Sequence, residues 1–440
     1  MRKVLPIVVL IVHCSTLQAF DHQPNAVYRA RREALAKKAG AVILLFAPQE
    51  PQESLYRFRQ DDNFFYLSGA ADPAEALLIA PAAEAKDNSP ARPYTEILFL
   101  PPRNPRLERY TGPKLGADTP NAPAITGFDR VAEMGRLPDE LSKLLGTQRP
   151  VVYTDLPAEG EPSASQEALG FLKRTNAFVF FQDVKPLVDS LRMVKDSGEI
   201  GLLRKAVDAS AAAHLAAMKA VKPNLTEYEI ASLLEYEWGK RGCERASYPP
   251  IVGSGHNSTV LHYSEDTNTM KSGDVVVIDA AAECSMYAAD ITRTLPVNGH
   301  FTARQKEIYD IVLGAQQAAI DAFQSGKSLL FGDSDASLTK VAKDYIKAHG
   351  KDLHGQPLDQ YFIHGVGHYL GLDVHDAGDY KVPLGPGMVF TIEPGIYIPE
   401  ENLGVRIEDD FLVGADGQLI KLSAALPSKA EDVETTMRGK

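Results

Sequence analysis

An α/β domain followed by an α+β domain is the architecture this sequence predicts, and three observations carry the prediction. Over residues 26–185, amphipathic helix-like runs alternate with short apolar runs. From Ser197 onward the helical runs lengthen and are followed by paired strands. Within that second region, a turn glycine followed by an apolar strand and a carboxylate occurs twice. The chain has 440 residues, 44% apolar and 24% charged, which suits two or three globular domains and gives no sign of disorder.

The N-terminus reads as an export signal over residues 1–19. Arg2 and Lys3 precede the apolar run 5–12, which is too short to span a bilayer, and Ala19 offers a small residue at a cleavage point. The expected location is therefore periplasmic or secreted. Cys14 sits where a lipid-attachment cysteine would, but the preceding His13 is not the small residue such sites prefer, so lipidation is not expected. Cys243 and Cys284 then remain, too few for a disulfide framework, and both are expected to be buried thiols.

In the first domain a charged helix is expected over 27–38, with strands at 41–46, 64–67, 76–79, 96–100, 151–154 and 177–181. Further helices are expected at 139–145 and 166–174. The stretch 89–123 is loop-rich around one strand, because Pro101, Pro102, Pro105, Pro113 and Pro120 break longer elements. A boundary at 186–190 separates a domain over 20–188 from one over 189–440. In the latter, helices are expected over 199–221, 227–240 and 337–348. Another begins at Thr302 with Gln305 in capping-box spacing and a buried stripe of Ile308, Ile311, Val312, Ala315 and Ala319.

The repeated segment runs from Gly273 to Asp279 and from Gly387 to Glu393, with the carboxylate six positions after the glycine in both (279 − 273 = 6; 393 − 387 = 6). A second carboxylate follows in each half, Asp290 and Glu408. This pattern predicts a duplicated helix-helix-strand-strand unit whose halves share a seam. Asp279, Asp290, His368, Glu393 and Glu408 are accordingly read as ligands of a two-metal hydrolytic site. Four carboxylates and one imidazole cannot gather around one pocket without compensating charge, since repulsion would raise their pKa values and protonate them. Two divalent cations supply that charge. An oxygen-rich set with one imidazole suits Mn²⁺ better than a structural zinc, and such a pair can hold a bridging hydroxide and polarise a carbonyl. The net charge of −12 argues against nucleic acid or an anionic membrane as the main partner.

Four of the 11 histidines sit in two compact motifs: His262 within 261–263, and His364, His368 and His375 within 364–375. Gly365, Gly367 and Gly371 argue against a helix there and for an extended backbone that aims side chains into one cleft. The segments IVGSGHNSTVLHY (251–263), VIDAAAECSMYAADITRT (277–294), HGVGHYLGLDVHD (364–376), TIEPGIYI (391–398) and GVRIEDD (404–410) resemble aminopeptidase P and prolidase, within the pita-bread metallopeptidases. FRQDDNFFYLSGAADP (58–73) resembles the creatinase-like N-terminal domain of aminopeptidase P. Two positions depart from relatives: Ala281, where glycine is usual, and Asn63, where several carry an acidic residue that meets the substrate amine. Asp61 and Asp62 adjoin Asn63.

The resemblance implies an α/β creatinase-like domain, an α+β pita-bread catalytic domain, and cleavage of the bond before proline. It implies that Asp279 binds one metal, that His368 and Glu393 bind the second, and that Asp290 and Glu408 bridge the two. Glu393 doubles as general base. His262 and His375 steady the carbonyl, the oxyanion and the departing nitrogen. His364, Tyr397 and Arg406 line the proline pocket, with Arg406 also orienting Glu408. Substrates are peptides with proline second, and the chain is expected to form a homo-oligomer, dimer or tetramer. Prolidase, which cleaves dipeptides only, is the alternative. It carries an arginine in the loop before the TIEPG strand, whereas here that loop, 376–386, offers only Lys381.

Overall fold

The computed structural model describes residues 20–50, 57–85, 90–145, 151–156, 170 and 179–439. The expected export signal with Cys14, the start of the strand expected at 177–181, and all of the helix expected at 166–174 except Gly170 lie outside the described residues.

The N-terminal unit is a mixed six-stranded sheet in the order β4-β3-β2-β1-β5-β6. Its strands are β1 (Val42–Phe46), β2 (Ala76–Ala80), β3 (Thr95–Leu100), β4 (Arg130–Glu133), β5 (Val151–Thr154) and β6 (Phe180–Asp183). Helix α1 (Asn25–Ala39) ends where Gly40 turns left-handed and its N–H caps the Ala36 carbonyl. Its fully buried Arg32 pairs with Glu96 on β3 at 2.7 Å. The segment 64–67, expected as a strand, belongs instead to helix α2 (Asp62–Ser68). Asp61 accepts the Phe64 N–H at its start and Gly69 closes it. Phe64, Phe65, Tyr66 and Leu67 are all buried, and an apolar run buried on every side shows neither periodicity. The strand expected at 177–181 overlaps β6, which runs on to Asp183. Strand β4 had no signal, being a polar edge strand parallel to β3. Short helices α3 (Glu108–Thr111) and α4 (Ala122–Thr126) interrupt the proline-rich stretch, and α5 (Leu137–Leu145) follows β4.

Helix α6 (Lys185–Arg192) leads into the second unit. There α7 (Ser197–Ala220) and α8 (Glu227–Gly239) each open on a capping box, Asp196 with Glu199 and Thr226 with Glu229. Strands β7 (Arg245–Ala246), β8 (Ile251–Ser254), β9 (Val275–Asp279), β10 (Ala282–Cys284), β11 (Tyr287–Ala288) and β12 (Thr292–Pro296) complete the first half. The second half has α9 (Ala303–Ala322), with the expected Thr302–Gln305 box, and α10 (Leu338–His349). Strands β13 (Val389–Ile392), β14 (Gly395–Ile398), β15 (Leu403–Arg406), β16 (Asp409–Val413) and β17 (Leu419–Lys421) follow, then helix α11 (Ala430–Met437). Gly273 and Gly387, the turn glycines of the repeat, adopt φ of 94° and 84°. Strand β9 pairs with β12 and β13 with β16, both antiparallel. A bridge between Thr292 and Glu408 joins the two halves.

Cys243 and Cys284 form a disulfide, correcting the expectation of thiols. Pairing of β10 with β7 sets Glu283 opposite Arg245 and brings the two cysteines to a Cα separation of 4.3 Å. One continuous apolar cluster runs from Leu45, Phe64 and Leu67 of the first unit to Leu203, Val276 and Ile278 of the second. Each such side chain contributes roughly 2 kcal/mol on burial. Ion pairs reinforce the junction, with Arg31 on Asp196 at 2.7 Å and Arg59 on Glu283 at 2.8 Å.

Candidate active site

The seam between the two halves collects the five expected ligands. Asp279 ends β9, Asp290 lies in the turn before β12, Glu393 follows β13 and Glu408 precedes β16. His368 comes from an extended segment beside β13, where Thr391 N–H donates to the His368 carbonyl and Glu393 N–H to the Val366 carbonyl. His368 Nε2 lies 3.3 Å from Asp290 and 3.4 Å from Glu393. Ligand atoms of Asp290, His368 and Glu408 all lie within 4.8 Å of one another. A cavity of about 640 Å³ is lined by all five together with His262, His364, His375 and Arg406.

The other expected residues divide. His364 Nδ1 is 2.7 Å from the Gly365 carbonyl, and its Nε2 is 2.8 Å from the Tyr397 hydroxyl. Burial, with Arg406 nearby, lowers its pKa to about 4, so the ring is neutral and both nitrogens are engaged. Tyr397 stands behind this wall: its hydroxyl accepts from Arg406 at 2.8 Å, and the residue is not among those lining the cavity. The resemblance implies that Arg406 orients Glu408, but Arg406 makes no direct bond to it. Its guanidinium pairs with Asp279 at 2.6 Å, and it is Thr292 whose hydroxyl donates to Glu408 at 2.7 Å. His262 and His375 are exposed at the rim. The two carboxylates at the start of α2 are both engaged and leave no free oxygen pair for a substrate amine. Asp61 caps the helix, Asp62 pairs with Arg59 and Arg192, and Asn63 accepts from Arg192.

Sequence reasoning missed Tyr248. Its hydroxyl lies 2.5 Å from both Asp279 and Asp290, and nothing in its Ser-Tyr-Pro-Pro setting marks it. Asp410, the last residue of the GVRIEDD segment, is buried, and one of its oxygens accepts the Asp290 N–H at 3.2 Å.

Residues 201–415 match metallopeptidase family M24, and residues 28–153 match the aminopeptidase P N-terminal domain. The chain is 34% identical over 437 residues to Xaa-Pro aminopeptidase of Haemophilus influenzae, an alignment covering 94% of this chain and 97% of the relative. This chain belongs to metallopeptidase family M24. A second M24 relative, human Xaa-Pro aminopeptidase 3, is 35% identical over 399 residues, covering 86% of this chain and 76% of the relative. Among solved structures, proline aminopeptidase P II from Yersinia pestis superposes with a TM-score of 0.82 at 31% identity, covering 95% of this chain and 100% of that one. Escherichia coli aminopeptidase P with the inhibitor Pro-Leu gives a TM-score of 0.81 at 32% identity, covering 95% and 99%.

The donor set fits the metal that an M24 metallopeptidase uses. Burial raises the pKa of Asp279, of Glu393 and, strongly, of Glu408, with the charge of Asp290 adding to each. His368, despite burial, is raised to about 9 by Asp290 and Glu393. Buried Glu408 Oε1 has no hydrogen-bond partner. Too little positive charge faces these carboxylates, so the site draws protons where divalent cations belong.

Proposed function

We propose that this metal-dependent hydrolase, an Xaa-Pro aminopeptidase, releases the N-terminal residue from peptides of three or more residues with proline second. The observation that carries the length assignment is the charge lining the cleft. Among the described lining residues the only arginine or lysine is Arg406, and its guanidinium is held by Asp279 and Tyr397. Lys381 is exposed and does not line the cavity. A free dipeptide carboxylate therefore finds no bidentate partner, whereas a longer peptide needs none.

Asp279, Asp290, His368, Glu393 and Glu408 would hold two divalent ions, Mn²⁺ by the hardness of the donors. When bound, the ions act as Lewis acids and provide a nucleophile at neutral pH. Glu393 takes the proton of the attacking water as general base. His262 and His375, at the rim, donate to the carbonyl oxygen as it gains charge and deliver a proton to the departing nitrogen. That nitrogen belongs to a tertiary amide without an N–H, so an ordinary extended-strand site cannot grip it. Neutral His364, fixed by Gly365 and Tyr397, offers its ring to the proline.

We further propose export to an oxidising compartment. The Cys243–Cys284 disulfide supports it, since such bonds persist outside the cytosol. Assembly as a dimer or tetramer is also proposed, supported by the exposed Leu107 and Tyr110. The test of function is a length series. Mn²⁺-loaded enzyme is expected to release Xaa from Xaa-Pro-Xaa and longer peptides in chromatographic product analysis. Hydrolysis of Xaa-Pro dipeptides with the tripeptides left intact would overturn it.

A further inference from the structure

The loop that presents His375 has no regular structure, yet it is anchored by charges buried beneath it. Residues 371–375 form successive bends after the extended segment that carries His368, and Asp376 follows them. His375 is exposed, and its ring lies 4.2 Å from that of His368. The next residue, Asp376, is buried. Its N–H donates to the Tyr369 carbonyl at 2.9 Å, and its carboxylate accepts from Arg192 at 2.5 Å, Lys195 at 2.9 Å and the Asp373 N–H at 3.3 Å. The fit is close: a Cβ on Gly371 would collide with the Asp376 carboxylate and come within 3.0 Å of Lys195 Cε.

Arg192 is itself seated on the other domain. Its second arm donates to Asn63 Oδ1 at 2.8 Å, and it lies 3.3 Å from Asp62, both in the first turn of α2. Arg59 ties the same turn to the loop, bonding Asp62 at 2.8 Å and the Leu372 carbonyl at 2.7 Å. Buried charges joined this way hold one geometry, because any displacement leaves a charge without its partner in a low dielectric.

We propose that Arg192 is a positioning residue for His375: seated on the first turn of α2, it fixes Asp376 and thereby the 371–376 loop, so the N-terminal domain completes the active site of its own chain. The proposal rests on the rim role given to His375. Lys195 and Arg59 bond the same loop, at Asp376 and at the Leu372 carbonyl. Asn63, which lacks a charge to offer a substrate amine, serves here as an acceptor for Arg192.

The test is a double-mutant cycle on the full-length, Mn²⁺-loaded enzyme, with kcat and KM measured on an Xaa-Pro-Xaa tripeptide and metal content per chain measured alongside. Arg192→Lys is expected to lower kcat about tenfold or more with KM changed less than about twofold and metal content intact. In a His375→Ala background the same change is expected to cost less than about twofold, since its effect passes through that ring. Asn63→Ala, which removes one acceptor of Arg192 and leaves its contacts with Asp62 and Asp376, is expected to reproduce a smaller kcat loss of about threefold with the same non-additivity, and it carries the test if Arg192→Lys does not fold. Equal losses in both backgrounds, or a loss that follows metal content, would overturn the proposal. An unchanged kcat in His375→Ala alone would instead overturn the role of His375.

Discussion

A single phenol separates the two carboxylates that begin the metal set. The Tyr248 hydroxyl has one proton, yet it lies 2.5 Å from both Asp279 and Asp290. The second contact therefore needs a proton on a carboxyl, or the positive charge of a bound ion nearby. Tyr248→Phe is expected to weaken Mn²⁺ binding by about 10- to 100-fold, the usual cost of losing a group that orients a ligand. Metal titration of the variant checks this, and an unchanged affinity would show the phenol to be filler. The five proposed ligands could be picked out because four carboxylates end or adjoin the repeated strands and His368 lies in a glycine-rich histidine motif. Tyr248 was not, because it acts through space from a loop 31 residues before Asp279. Glu75 is a buried carboxyl far from that chemistry in sequence. It is 4% exposed, one oxygen has no partner, and burial, with Asp72 adding, raises its pKa to about 8. A raised carboxyl pKa means that the folded state prefers the proton. Its contribution to stability is thus fully present below the unfolded pKa and is lost as pH rises to about 8. Glu75→Gln removes this dependence. Relative to the variant, the parent is expected to lose up to about 1.4 kcal/mol per pH unit across that window. Denaturant unfolding at pH 5 and pH 8 measures it, and parallel curves would contradict the assignment.

At the scale of elements, local signals read well where a side chain closes the backbone by itself. The Thr302–Gln305 box starts α9 as its spacing foretold, and Gly273 and Gly387 make matching turns before β9 and β13. Where long-range packing decides, the reading failed. Helix α2 looked like a strand because Phe64 to Leu67 are apolar without a break, and its signal was the Asp61 cap three positions earlier. The disulfide was missed for the same reason, since only the pairing of β10 with β7 brings Cys243 to Cys284 across 41 residues. That bond restrains the unfolded chain. Replacing both cysteines by serine is expected to cost about 3–4 kcal/mol by loop-closure entropy. Chemical denaturation of the double variant against the parent tests the magnitude. Full alkylation of the native protein without reductant would show the bond to be absent.

For the molecule as a whole, the seam between the two halves is where stability and metal occupancy meet. Asp279 and Asp290 come from one half and Glu393 and Glu408 from the other, with Thr292 bridged to Glu408 at the joint. Without metal, burial favours the protonated form of several groups at this joint. The carboxyl pKa values of Asp279, Glu393 and Glu408 are raised by burial, and His368, raised to about 9, is a cation that must shed its proton before it can ligate. Protons and metal therefore compete for the same atoms, and Mn²⁺ binding releases protons. Affinity is expected to climb as pH rises from 6 toward 9, the upper edge being set by His368. An ion held by ligands from both halves would tie them together, so its binding is expected to appear as stability, about 2.7 kcal/mol when metal is present at a hundredfold excess over Kd. Thermal unfolding with Mn²⁺ and with a chelator is thus expected to show a larger metal-dependent rise in Tm at pH 8 than at pH 6 for the same added metal. An equal rise at both values, or a larger one at pH 6, would mean that the ligands are already deprotonated in the metal-free protein and that the carboxylates of the two halves are held together by something other than the ions.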